Sequence, residues 1–223
     1  MESSIDLQAI MRQVYIWMGL GMLLTAFVAF MTANSSLINL ALNPVVMLVA
    51  ILAEFGMVLA ISFGFSRLSS GVATLLFFGY AALNGFTLSV VLLAFSISSV
   101  FLAFGATAAL FVAMSIIGYT TRIDLTKMGA FLMMGVIGLV IAMLINMFVG
   151  SGPLDMLISV IGILIFTGLT AFDTQRIGRM AAQMNMQVGG DAEVKFGIFG
   201  ALKLYLDFIN MFLFMLRLVG RRR

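Results

Sequence analysis

The sequence predicts an all-α integral membrane protein with seven transmembrane helices, and three observations lead there. Of its 223 residues, 63% are hydrophobic and 9% charged, against about half and about a quarter in a soluble domain. The apolar residues fall in runs too long and too frequent for core strands or buried helices. There are seven such runs, near 16–33, 44–65, 72–94, 97–118, 128–149, 154–175 and 196–219. Each is long enough to cross about 30 Å of hydrocarbon at about 1.5 Å per residue. A single domain, 1–223, accounts for the whole chain.

The first segment follows a stretch, Met1 to Arg12, that contains Glu2 and Asp6 and no cleavable signal pattern, so it is expected to stay in the protein. The second and sixth open behind Pro44 and Pro153, the only prolines, where a fixed backbone angle suits a first helical turn. Glycines Gly19 and Gly21, Gly79 and Gly85, Gly135 and Gly138, and Gly162 and Gly168 let neighbouring helices approach closely. Connections are short except 176–195, expected as the one substantial loop, with Arg176, Arg179, Asp191, Glu193 and Lys195. The first three segments run opposite to the three that begin with the fourth, as an inverted repeat requires, without residue-level similarity between the halves.

Positive charge sets the orientation. Arg12, Arg67, Arg122, Lys127, Arg176, Arg179 and Lys195 fall on one side of the alternation, whereas the opposite connections near 34–43, 95–96 and 150–153 hold no Lys or Arg. The N-terminus is therefore expected in the cytoplasm. Arg217 and Arg221, Arg222 and Arg223 break the pattern if the seventh segment crosses fully, as its length favours.

Histidine and cysteine are absent, which removes imidazole and thiolate chemistry, disulfides and the usual zinc sites. Function is sought first among ionisable residues inside the spans, because those are costly and normally face a bundle interior or a wet cavity. Glu54 stands near the middle of the second segment, either as a protonated, hydrogen-bonded carboxyl between helices or as part of an ion path. In the last segment Gly200, Lys203, Asp207, Asn210, Phe214 and Arg217 share one stripe at three-four spacing. A helix with a polar stripe between apolar flanks turns away from lipid, so the seventh segment is expected to be central. Lys203 and Asp207 can pair within the helix, yet a mid-membrane carboxylate is seldom kept for packing alone.

Asp173 lies near the end of the sixth segment, where pairing with Arg176 is the plain alternative. If the sixth helix packs on the seventh, Asp173 and Asp207 can share a proton and titrate as a unit. Deprotonated, their oxygens are hard ligands suited to calcium. Arg67 ends the second segment on the same side, where an ordinary snorkelling arginine is the competing reading. Glu54, Asn84, Lys203 and Asn210 are the remaining candidates for an ion path.

The runs Ala171-Phe172-Asp173-Thr174-Gln175, Ala201-Leu202-Lys203-Leu204-Tyr205-Leu206-Asp207-Phe208-Ile209-Asn210 and Gly79-Tyr80-Ala81-Ala82-Leu83-Asn84-Gly85 resemble the Bax inhibitor-1 family, also called the transmembrane Bax inhibitor motif family. The likeness covers essentially the whole chain. It implies seven helices with the last surrounded by the other six, and a pH-sensitive calcium leak. It also implies that the aspartates matching Asp173 and Asp207 sense protons, and that the arginine matching Arg67 latches the closed state through the first of them. Calcium is then a permeant or transiently bound ion, with no resident cofactor, no catalysis and no nucleic-acid partner. The chain resembles bacterial members, which implies the inner membrane.

Three rivals stand beside this reading. A retinal photoreceptor fits a lysine in the seventh helix, but one tryptophan, Trp17, is too few for a retinal pocket. An intramembrane aspartyl protease would use Asp173 and Asp207. A non-catalytic regulator would act on another membrane protein, for example a membrane-anchored protease.

Overall fold

The computed structural model describes residues 7–64, 67–183 and 190–220, and those residues form helices without a strand. In order these are α1 (Leu7–Ala33), α2 (Ile38–Ala41), α3 (Pro44–Gly64), α4 (Ser70–Ala94), α5 (Ile97–Thr120), α6 (Thr126–Val149), α7 (Gly152–Gln183) and α8 (Asp191–Val219). All except the single-turn α2 are long and apolar enough to cross a membrane, so the seven segments read from the sequence are present. Glu2, Asp6 and Arg221 to Arg223 lie outside the described residues.

Several helix ends follow directly from local chemistry. Pro44 opens α3, and the Asn43 side-chain oxygen before it accepts the Val45 N–H at 2.9 Å, satisfying a donor the first turn leaves free. Ser69 and Ser96 cap α4 and α5 by accepting the N–H groups of Val72 and Ser99. α6 stops at Gly150, whose φ of 65° is left-handed and suits glycine.

The expected loop is a different matter. The loop expected over 176–195 is helical through Gln183 and again from Asp191, and residues 184–189 lie outside the described residues. Hydropathy marks only the part of a helix that sits in hydrocarbon. Arg179, Met180, Ala181, Ala182 and Gln183 are strong helix formers that continue the ladder beyond it, and Asp191 and Glu193 suit the positive first turn of α8. For the same reason α1 begins at Leu7, well before the apolar run.

The helices gather in two compact units. The first holds α1 to α4, the last residues of α7 and α8 as far as Tyr205. The second holds α5, α6, α7 to Arg179 and α8 from Leu206. Within the first, α4 packs on both α1 and α3. Gly85 permits the α1 contact, because a Cβ there would meet the Val28 side chain at 2.9 Å as well as the Thr25 carbonyl. Within the second, Gly118 of α5 lies directly against the Ala171 backbone of α7, and Phe111 of α5 meets Phe208 of α8 edge-on at 5.5 Å. Gly168 of α7 receives Leu132 of α6, and Gly162 receives Phe214 of α8. Gly19 and Gly138, also expected at contacts, have nothing within 4 Å of where a Cβ would stand.

Burial separates the helices sharply. In its most apolar stretch α8 is 72% buried, against 11% for α3 and α6. The outer faces carry large apolar side chains such as Phe63, Phe101 and Phe148, which a bilayer solvates and water does not.

Candidate functional site

The two aspartates singled out in the sequence belong to the same unit and are both interior. Asp173 of α7 is 8% exposed and Asp207 of α8 is 4% exposed. Their surroundings are built by tight helix contacts. Two residues before Asp173, Ala171 receives Gly118; one residue before it, the Phe172 ring lies against Gly129 of α6. One residue after Asp207, Phe208 packs edge-on against both Phe104 and Phe111. Buried hydroxyls join them from α5 and α7. Thr107, Ser115 and Thr174 keep oxygens that no protein group satisfies, so the interior of this unit is polar beyond its carboxylates.

Just past Asp173 the helix fastens a neighbouring turn. The Gln175 side-chain oxygen accepts the Leu125 N–H at 2.9 Å, and its amide donates to the Ile123 carbonyl at 2.8 Å. Four residues on, Arg179 donates to Asp124 at 2.6 Å. Asp124 also accepts from the Thr126 hydroxyl at 2.7 Å and backbone N–H at 3.0 Å. Those Thr126 donors first, and then Arg179, hold the exposed Asp124 carboxyl down at about 2. Neither Gln175 nor Asp124 was flagged by sequence reasoning. A glutamine at the end of an apolar run carries no signal of its own.

Arg67 is exposed in the turn between α3 and α4. That turn is tied to the start of α8 within the first unit: Lys195 donates to the Leu68 carbonyl at 3.1 Å, and the Ser70 hydroxyl bonds the Asp191 carboxylate. Asp173 belongs to the second unit.

The stripe expected on the last helix divides. Gly200, Asp207 and Phe214 are buried, Lys203 and Asn210 half-buried and Arg217 exposed. Lys203 holds its ammonium 5.5 Å from the Phe199 ring centre, and Asn210 donates back to Leu206 of its own helix at 2.8 Å. Arg217 stands 3.9 Å from Asp155 of α7. The remaining ion-path candidates, Glu54 and Asn84, meet in the first unit, where Thr87 donates to Glu54 at 2.8 Å and Tyr205 donates to Asn84 at 3.1 Å. Tyr205, Thr87 and Thr25 were missed in the sequence, since single hydroxyls in apolar helices look like packing. Among the described residues no three acidic, histidine or cysteine side chains form a metal-binding group.

These features define a polytopic membrane protein with buried carboxyl groups, Asp173 and Asp207 in one unit and Glu193 in the other. Residues 7–223 match the family described as Inhibitor of apoptosis-promoting Bax1. The inner membrane protein YbhL of Escherichia coli strain K12 is 44% identical over 219 residues, 97% of this chain and 93% of that protein. Proteins of Borreliella burgdorferi and Deinococcus radiodurans are each 43% identical, over 96% and 97% of this chain and 92% of their own lengths. The chain belongs to the Bax inhibitor family.

Proposed function

We propose that this protein is a pH-sensitive calcium leak channel of the bacterial inner membrane, gated by protonation of Asp173 and Asp207. The observation that carries the reading is that two carboxyl groups from different helices are both almost fully buried within one unit. A buried carboxylate is costly unless it is protonated, paired or bound to a cation. Two of them in one interior therefore link proton occupancy to the charge a calcium ion would meet, and their oxygens suit a hard cation. Neutral hydroxyls such as Thr107 and Ser115 supply further oxygen lining.

The inner-membrane assignment draws on YbhL, and a cytoplasmic N-terminus follows from the distribution of Lys and Arg. The channel works without catalysis and without a resident cofactor; its partners are lipid, calcium and protons.

In this reading Arg67 latches the closed state through Asp173. Arg67→Ala should then raise calcium leak severalfold at neutral pH, and adding Asp173→Asn should change it little further, because both substitutions break one interaction. Flux into sealed vesicles, normalised to inserted protein, measures this. Additive effects would contradict the latch. A wild-type protein that carries no calcium at any pH would contradict the channel and favour a regulator of another membrane protein.

A further inference from the structure

The first unit contains a polar chain that crosses four helices. It starts at the half-buried Glu54 of α3, whose carboxylate accepts from Thr87 at 2.8 Å and is reached by the Asn84 side chain of α4. On the other side of Asn84, its side-chain oxygen accepts from the Tyr205 hydroxyl of α8 at 3.1 Å. The Tyr205 hydroxyl lies 2.6 Å from the Thr25 hydroxyl of α1, which is also 2.7 Å from the Ala81 carbonyl and 3.0 Å from the Gly21 carbonyl. Tyr205, Thr25 and Asn84 are all buried away from bulk water.

Counting protons shows that the two arrangements of this chain differ by one filled contact. Tyr205 and Thr25 have one hydroxyl proton each. With Glu54 charged, Asn84 donates its amide to the carboxylate and accepts from Tyr205, and Thr25 donates to Tyr205. The 2.7 Å contact between Thr25 and the Ala81 carbonyl is then left without a proton. With Glu54 protonated, its O–H donates to the Asn84 oxygen, the turned amide donates to Tyr205, Tyr205 donates to Thr25, and Thr25 donates to Ala81. Every contact from Glu54 through Asn84, Tyr205 and Thr25 to Ala81 then holds one proton, only the 3.0 Å contact of Thr25 with the Gly21 carbonyl of its own helix being without one in both arrangements, and each bond polarises the next.

We propose that Glu54, Asn84, Tyr205 and Thr25 form a proton-binding site in which uptake of one proton by Glu54 turns the Asn84 amide and reverses the hydroxyl chain to α1. One O–H bond forms, on the Glu54 carboxylate, with a proton from the aqueous phase. No other O–H bond breaks; the two hydroxyls and the amide only rotate. The charge of the cluster goes from −1 to zero.

No counter-ion competes for this role among the described residues. Neither ion pair involves Glu54. Its titratable neighbours are Tyr80 and Tyr205. α2 and α4 carry no charged residue, α1 carries only the exposed Arg12, and this part of α8 carries Asp191, Glu193, Lys195 and Lys203. Asp191 and Lys195 are engaged with Ser70 and Leu68, and Lys203 with Phe199. The site is built without Asp173 or Asp207, and its protonation needs no calcium conduction.

Infrared difference spectra of the full chain in lipid, acidic minus neutral, test it in an Asp173→Asn, Asp207→Asn background that silences the other pair. A carboxylic C=O band should appear on acidification together with a shifted tyrosine C–O band. Glu54→Gln should remove both. Tyr205→Phe should remove the tyrosine band and keep the carboxyl band, and Asn84→Leu should likewise keep the carboxyl band while abolishing the tyrosine shift. Should Glu54→Gln fail to fold, carboxyl-13C glutamate in a Glu2→Gln, Glu193→Gln protein, where Glu54 is the one glutamate left, identifies the band by its isotope shift. A tyrosine shift that survives Glu54→Gln or Asn84→Leu, or the absence of any glutamate C=O band on acidification, would overturn the proposal.

Discussion

The interiors of the two units solve the problem of polar groups in a membrane protein differently. In the first, Glu54, Thr87, Asn84, Tyr205 and Thr25 bond one another in a chain at distances between 2.6 and 3.1 Å, while the buried Gln13 oxygen and Trp17 N–H of α1 stand outside it without a protein partner. In the second, two buried carboxyls share their interior with the hydroxyls of Thr107, Ser115 and Thr174, which no protein group satisfies. An unsatisfied buried hydroxyl costs about 1–3 kcal/mol. A network that satisfies its members fixes helix positions; oxygens left over suit a passing ion or water. The difference teaches that buried hydroxyls can be placed in two ways, joined in a connected network around Tyr205 or left singly near two carboxyls, and the proposed function rests on the second.

The comparison breaks most visibly at the helix contacts both units need. Gly118→Val should prevent accumulation of folded protein, because even a Cβ there collides with the Ala171 backbone. Overpacking usually costs about 1–3 kcal/mol, and a rigid backbone gives no relief. Gly19→Ala, with open space around it, should leave the thermal midpoint in detergent unchanged. Equal loss in both variants would show that the Gly118 contact is not specific.

Smaller effects sharpen the picture at the edge of the second unit. Gln175→Leu removes the partners of Leu125 and Ile123. Losing them should cost about 1 kcal/mol and speed tryptic cleavage at Arg122 severalfold without unfolding the helices. Unchanged cleavage would mean that the turn holds without α7.

The smallest effect concerns Asp124. Its folded value, about 2, lies below the ordinary 3.8, so its contribution is present above the ordinary value and is lost as pH falls through the folded one. Because the group is fully exposed, Asp124→Asn should shift stability only slightly near neutral pH. The shift should vanish at high salt and below about pH 2. A large, salt-independent loss would place Asp124 in a tighter structure than its exposure allows.

Much of this was legible in the sequence, for a physical reason. The bilayer demands about 20 apolar residues per crossing, so composition locates α1 to α8 apart from the short α2. Intramembrane charge is rare, so Glu54, Asp173 and Asp207 stand out without any structure. The extension of α7 to Gln183 was hidden because helix hydrogen bonding continues where hydropathy stops. The role of Tyr205 was hidden because a hydroxyl on an apolar ring reads as packing until Thr25 and Asn84 are seen on either side of it. Gln175 gave no sign because its partners are backbone atoms of the turn at 121–125, fifty residues away in sequence.

The most direct test of the central claim is calcium flux into sealed vesicles as a function of pH, comparing wild-type protein with Asp207→Asn. An amide keeps the shape of the carboxyl and removes its titrating proton. The account predicts that wild-type flux changes severalfold between neutral and acidic pH, and that Asp207→Asn inserts normally while its flux no longer follows pH. A normally inserted Asp207→Asn protein with the wild-type pH response would contradict it.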